Sequence, residues 1–559
     1  MAKPGSHTPN LEQSLAEALG LHRQGRLNEA EKIYARILKD APDHVDTLQL
    51  MAQLKMARGK PAEAYQFMTA VMSARPSSAD ALVLLGHVLR ALKRDDDALT
   101  RFDQALALDP GHIDALGMRG DALLARKRAE EALQCFDKIL TLAPGHADAR
   151  ANRSAAFAML ERFEEALADC DAVLAYAPAN AMAHYNRANA LASLGRHADS
   201  LAAYDRVLAL IPQHVLAWNN RGNTLSALKR HADAVASFAK AIALKPDYAD
   251  AHFNQALALL ATGDYPRGFA AYEWRWKRTG MPARRNYGCP LWLGEYPLER
   301  KAILVYSEQG LGDSIQFARY VPILARAGAR VVLEVHAEVK TLLSRLAGAS
   351  HVVARGEELP AFDVHCPLGS LPLACKTELA NVPADIPYLA ADESRVAKWQ
   401  PRLAALKQPR VALVWSGNAN HANDRNRSIA LSSLKPLWDT NAANFISLQR
   451  DLRGSDADTL KNSPGILHLG DQFADLDDTA AVLALCDLVI SVDTSVAHLA
   501  AAMGRPTWVL LPFSPDWRWT LESMHSPWYP AARLFRQPQF GDWASVIERV
   551  RAELAKLGG

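Results

Sequence analysis

The chain has 559 residues, more than a single hydrophobic core serves, so several domains are expected. Its 63 Lys and Arg nearly balance 61 Asp and Glu, which leaves no field strong enough to imply nucleic acid or an anionic membrane as partner. Six scattered cysteines without a C-x-x-C pair indicate neither a disulfide framework nor a zinc cluster, no stretch approaches the roughly 18 apolar residues of a membrane span, and MAKPGSHTPN at the start holds no apolar run; a cytoplasmic protein with buried thiols is expected.

From the N-terminus the first signal is a period. Pro42, Pro76, Pro110, Pro144, Pro178, Pro212 and Pro246 follow one another at intervals of 34 residues. In the same register stand Ala30 with Tyr34, Ala64 with Met68, Ala98 with Phe102, Ala132 with Phe136, Ala166 with Cys170, Ser200 with Tyr204 and Ala234 with Phe238, and glycines at 86 and 120 precede two of these pairs. Each unit predicts two helices: a small residue lets them approach, a large one fills the next gap, and proline ends the second. One unit cannot bury its apolar face alone, but stacked units can. The pattern resembles the tetratricopeptide repeat over residues 11–275, with seven clear units and a degenerate eighth through Ala256, Gly268 and Tyr272 into YEWRWKR, where aromatic residues would seal the stack.

The resemblance implies an α-solenoid whose groove takes a protein or peptide, self-association being the other use. Asn152, Asn186, Asn219 and Asn220 are candidates to bond an extended peptide backbone, against helix capping or solvent contact. Asp95, Asp96 and Asp97 read as a solvated turn, not a metal site.

After a junction at 276–300 the pattern becomes β-like. Strands are predicted at AILVY (302), RVVLEV (330), HVVA (351), FDVHC (362), VALVW (411), FISLQ (445), GILHL (465), LVISV (488) and TWVLL (507), each next to helical sequence. They divide into two doubly wound parallel-sheet lobes, 301–395 and 396–559, with a hinge at 390–409 around Pro401 and Pro409. In such sheets ligands bind beyond the carboxyl ends of the strands, so the residues following each strand are the ones to test.

Four segments stand out there. SEQGLGDSIQF carries Gly310, Gly312 and Asp313 in a strand–turn–helix; it is neither a dinucleotide fingerprint, because Ile315 stands at the third glycine position, nor a Walker loop, because no Gly-Lys-Ser/Thr follows. Its glycines permit close backbone approach, and Asp313 is either an N-cap or a base for an acceptor hydroxyl. WSGNANHANDRNRSI gathers Ser416, Gly417, Asn418, His421, Arg425, Arg427 and Ser428, donors suited to a diphosphate or else a solvated loop. SVDTSVAHLAAAMGRP ends a strand at Asp493 and opens a helix with Thr494, Ser495 and Val496, placing His498 one turn later, on the same ligand or in the core. PFSPDWRW offers Phe513, Trp517 and Trp519 to enclose a base or sugar, or to pack the lobe.

The GLGD turn and DTSVAHLAAAMGRP resemble glycosyltransferase family 9, the heptosyltransferase-like enzymes, over roughly 300–559; the order of repeats before catalytic module is similar to that of protein O-GlcNAc transferases. The resemblance implies a GT-B-like α/β module and an inverting, metal-independent transfer of a hexosyl or heptosyl group. A nucleotide sugar is then the co-substrate, and no cofactor is expected. By the same resemblance Asp313 is the catalytic base, and Asp493, Thr494 and His498 bind the nucleotide diphosphate and ribose, with Ser495 in a variable place. Gly310, Gly312, Ser416, Asn418, Arg425 and Arg427 complete the expected donor site; the two arginines stand where the family has a lysine. The short first lobe implies either that the repeats supply part of the acceptor side or that activity has been lost. The alternative is a repeat scaffold, without catalysis, joined to a degenerate nucleotide-binding module.

Overall fold

The computed structural model describes residues 11–421, 423–440 and 442–557; the ten N-terminal residues read above lie outside them. The chain forms two compact units, Met1–Pro212 and Gln213–Gly559.

The first unit is helical throughout, from Leu11–Arg23 to His197–Leu210, in pairs joined by tight turns. The predicted small-against-large contact is present: a Cβ on Gly86 or Gly120 would come within 2.4 Å of Phe102 or 2.6 Å of Phe136. Two residues after the repeat prolines stand His44, Ser78, His112, His146 and Asn180, and each side chain accepts a hydrogen bond from a backbone N–H in the first turn of the following helix. The aspartates 95–97 form the first helical turn of Asp95–Leu108, correcting the expected loop; there they favour the positive end of the helix dipole. The groove asparagines are also engaged: Asn152 donates to Asp121 at 2.8 Å, and Asn186 to the Ala151 carbonyl at 2.9 Å. They tie neighbouring repeats together, a third use that the sequence reading did not weigh.

The second unit opens with helices Val215–Ala227, His231–Leu244, Ala249–Ala261 and Tyr265–Tyr272 and the 3-10 turn Glu273–Lys277. Two sheets follow. In the first, β1 (Ala302–Tyr306), β2 (Arg330–Val335), β3 (Ala349–Ala354) and β4 (Val364–Pro367) lie in the order β3-β2-β1-β4, all parallel. In the second, β5 (Arg410–Val414), β6 (Asn444–Ser447), β7 (Ile466–His468), β8 (Leu488–Val492), β9 (Thr507–Leu511) and β10 (Ala532–Arg536) lie in the order β10-β9-β8-β5-β6-β7, again parallel. The central strands are buried along their length, which is why they read as unbroken apolar runs. The edge strand β10 was not predicted, because Arg533 and Arg536 interrupt its apolar pattern.

Ala256, Leu260, Tyr265, Phe269 and Tyr272 of the last repeat helices share one core with Ile303, Val305, Phe317 and Tyr320 of the first sheet and with Trp517 and Trp528. Trp528 Nε1 donates to the Tyr265 hydroxyl at 3.0 Å, and Tyr265 and Phe269 meet Trp517 edge-on. The helix Glu393–Ala404, read as a hinge, is fixed to the second sheet's side by Trp399 Nε1 donating to Asp478 at 2.9 Å. No helix among the described residues is long and apolar enough to cross a membrane.

Candidate functional site

Each sheet reverses its strand order once, between β1 and β4 and between β5 and β8. Such switch points open a crevice beyond the strand ends, because the connections on either side leave toward opposite faces. The candidate residues fall there: Gly310, Gly312 and Asp313 after β1, Ser416 to Arg427 after β5, and Asp493 to His498 after β8.

The two switch points touch. Gly312 lies in the helix Leu311–Phe317, and a Cβ built on it would stand 3.0 Å from His498 Cδ2 and 3.7 Å from Ser495 Cα. A methyl group there would be a tight contact, so the His498 ring would have to give by a few tenths of an ångström. Gly310 is the N-cap, and Asp313, three residues on, accepts its N–H through Oδ2 at 3.0 Å, so Asp313 is not itself the cap. Its other oxygen, Oδ1, accepts from Arg518 Nη2. Arg518 also donates from Nη1 to Asp516 at 2.9 Å and from Nε to Gln316. Burial opposes its charge, but Asp516 and Asp313 outweigh that and raise its pKa.

His498 is buried beneath Trp519 and Tyr529, with ring centroids 5.0 and 5.5 Å away, and its Nδ1 shares a hydrogen bond with the Tyr529 hydroxyl at 3.0 Å. Burial first, then Arg518, Arg319 and Arg427, drive its pKa well down, so the imidazole is neutral at pH 7. Its Nε2 lies 3.8 Å from Asp493 Oδ1. Asp493 titrates upward, to about 6, because of burial and then the neighbouring Asp516. Thr494 is the N-cap of the helix Ser495–Ala502 but turns its hydroxyl to Ser491 at 3.0 Å, so the helix itself begins at Ser495.

The loop after β5, read as donors for a diphosphate or else a solvated loop, finds many of its hydrogen bonds within itself and with Gln449 and Arg453 beyond β6. Gln449 Oε1 accepts the Trp415 and Ser416 N–H groups, Ser428 bonds Gly417 N and Asp424, and Arg453 donates to Asp424 at 2.7 Å and to the Gly417 carbonyl at 2.8 Å. Asn418 accepts from Asn420 N in its own turn. Arg427 lies against Gly417 and donates to the Asp493 carbonyl at 2.9 Å, tying the loop after β5 to that after β8, whereas Arg425 is exposed. Ser416 Oγ is buried without a hydrogen-bond partner. Trp517 and Trp519 are buried in packing and do not form an open sandwich, and Phe513 lies under Lys229 Nζ at 4.0 Å.

The sequence reading therefore missed Arg518 and Asp516, which stood inside PFSPDWRW but were passed over for its aromatics. It also missed Glu308, two residues past β1, where the strand-end rule applied to every residue would have found it.

Residues 21–71, 55–104, 96–147, 152–215 and 215–248 match tetratricopeptide-repeat families, and residues 474–533 match glycosyltransferase family 9 (heptosyltransferase). The latter stretch holds Asp493, Thr494, Ser495, His498 and Arg518, while the glycine turn at 310–313 lies outside it. Protein FlbA of Caulobacter vibrioides is 29% identical over 328 residues, 54% of this chain and 54% of that one, so the chain spans about half the length of the curated relative it matches. A tetratricopeptide-repeat protein from Parabacteroides merdae is 20% identical, with a TM-score of 0.39 over 44% of this chain and 98% of that one. A thermophilic repeat protein of Thermus thermophilus is 26% identical, with a TM-score of 0.30 over 33% and 100%. The chain carries tetratricopeptide repeats through its N-terminal part and a glycosyltransferase family 9 segment in its C-terminal part.

Proposed function

We propose that this chain is a GT-B-type glycosyltransferase that moves a sugar from a nucleotide-sugar donor to an acceptor hydroxyl, with inversion and without a metal, the acceptor being a protein recruited by the repeats. The observation that carries the reading is the contact of Gly312 with His498, which brings the crevices of two parallel sheets together at the segments that resemble the family's. The match over 474–533 supports it from the donor side.

In this reading the acceptor oxygen attacks the anomeric carbon while the bond from that carbon to the diphosphate oxygen breaks. The nucleoside diphosphate leaves with the electron pair, and the acceptor proton passes to Asp313. Each Asp313 oxygen already accepts one hydrogen bond, from Gly310 N or from Arg518, which leaves lone pairs for the incoming hydroxyl. The leaving diphosphate is stabilised by the N–H groups that open the helix at Ser495, by Arg427, and by neutral His498 acting as a hydrogen-bond donor from Nε2.

The test is calorimetric titration of the full chain with uridine, guanosine, adenosine and thymidine diphosphates and their common sugar conjugates, beside His498→Ala. One nucleotide should bind, and the variant should lose roughly 1.5 to 3 kcal/mol, the worth of a hydrogen bond to a charged group. Binding of none overturns the reading in favour of a repeat scaffold.

A further inference from the structure

The segment YEWRWKR, which closes the last repeat, does more than cover apolar surface. Arg275 is 2% exposed and sits between the Tyr272 and Trp276 rings, 4.9 and 4.8 Å from their centroids. Its Nη1 donates to Glu273 Oε1 at 2.6 Å and to the Tyr272 carbonyl at 3.3 Å. Its Nη2 donates to Glu308 Oε1 at 3.0 Å and to Ser370 Oγ at 2.6 Å. Glu308 follows β1 and Ser370 follows β4, so one guanidinium reaches both sides of the first sheet's switch point. Beside it the Tyr272 hydroxyl donates to Gln309 Oε1 at 2.9 Å.

These bonds fix the two residues immediately before Gly310. Glu308 is held through one oxygen only, by Arg275 and by the Gly369 N–H at 3.1 Å, while Oε2 is buried without a partner. Gly369 packs closely on the turn: a Cβ there would meet Glu308 Oε1 at 2.6 Å and Gln309 Nε2 at 2.8 Å. A buried ion network of this kind is a poor source of stability compared with apolar packing of the same volume, but it fixes positions strictly, because every charge must keep its partner.

We infer that Arg275 and Tyr272, at the end of the last repeat, are positioning residues for the transfer reaction: they hold Glu308 and Gln309 and so set the turn from which Asp313 projects. The inference rests on the transfer reading above. It makes the terminal repeat part of the catalytic module, acting through the turn without touching the reacting atoms.

The experiment uses the full chain and the variants Tyr272→Phe, Arg275→Lys and Arg275→Met. Two readouts are taken: amide hydrogen exchange across residues 307–314, and nucleoside diphosphate release, with water taking the sugar in place of the acceptor hydroxyl, from the sugar conjugates of uridine, guanosine, adenosine and thymidine diphosphates. Exchange in 307–314 should quicken in Tyr272→Phe and Arg275→Met while residues 489–500 keep their protection. The kcat should fall on the order of tenfold to a hundredfold, as misplacement of a reacting group by about an ångström does, with KM for the donor nearly constant and Arg275→Lys partly restored. Unchanged kcat in Tyr272→Phe, or a rise in KM alone, overturns the inference. Should Arg275→Met not fold, Tyr272→Phe decides, since it loses one hydrogen bond and no charge. If the wild-type chain binds none of these nucleoside diphosphates, the transfer reading fails, and unchanged exchange in 307–314 would separately overturn the positioning role.

Discussion

Arg518 donates to Asp313, joining the loop after β9 of the six-stranded sheet to the glycine turn after β1 of the four-stranded one. The same guanidinium bonds Asp516 and Gln316, so it fixes the carboxylate's direction as well as its charge. Replacing Arg518 with Ala leaves Asp313 and Asp516, each partly exposed, with a backbone N–H but no guanidinium, which should cost about 1 to 3 kcal/mol. Denaturant unfolding checks the stability. Arg518→Lys retains the charge but cannot span three partners, and should keep most of the stability while losing activity.

Gly312→Ala and Gly310→Ala separate approach from flexibility. The first puts a methyl 3.0 Å from His498; the second meets nothing nearer than Asp313 Oδ2 at 3.4 Å, at a φ of −74° that any residue adopts. Nucleotide affinity should drop about tenfold in Gly312→Ala and hardly change in Gly310→Ala, by titration calorimetry.

Asp493 carries a pH signature. Its carboxyl titrates near 6 in the folded chain, above the ordinary range, so the folded state holds that proton more tightly than the unfolded one. Stability from this group therefore falls as pH rises from about 4 to 6 and stays lowered at pH 7. Asp493→Asn should stabilise the chain by roughly 2 kcal/mol at pH 7, a gain that vanishes near pH 4. Thermal melts at the two pH values read it, and no pH dependence of the gain would refute the assignment.

The repeat caps offer a test confined to the first unit. His146 Nδ1 accepts the Ala149 N–H at 3.1 Å, in the place that Asn180 fills one repeat later. His146→Ala should cost about 1 kcal/mol and His146→Asn almost nothing, by equilibrium unfolding of the full chain.

Much of this was legible beforehand. The prolines at 34-residue intervals located the helix pairs, and the β-like runs located nine of the ten strands among the described residues. The tenth was hidden because an edge strand carries Arg533 and Arg536 where a central strand carries aliphatics. The histidine caps were readable too, two residues after Pro42, Pro110, Pro144 and Pro212, but a histidine is seldom considered as a cap. Asp313 and His498 were legible as residues that follow strand ends; their partners were not, since Arg518 is 205 residues from Asp313 and local spacing carries no trace of such a pair.

Thus the sequence alone determined the repeat register, the parallel α/β character of the second half and the segments that lie beyond its strands, because these follow from periodicity and from burial of each strand's own side chains. Tertiary structure decided what those segments do to one another. Arg427 went to a backbone carbonyl, the loop after β5 took Gln449 and Arg453 as partners, and His498 became neutral. It also drew Arg275 of the last repeat onto Glu308. The reason is electrostatic: the partner and protonation state of a buried polar group depend on which other charges share its low-dielectric surroundings, and only the folded chain brings those charges together.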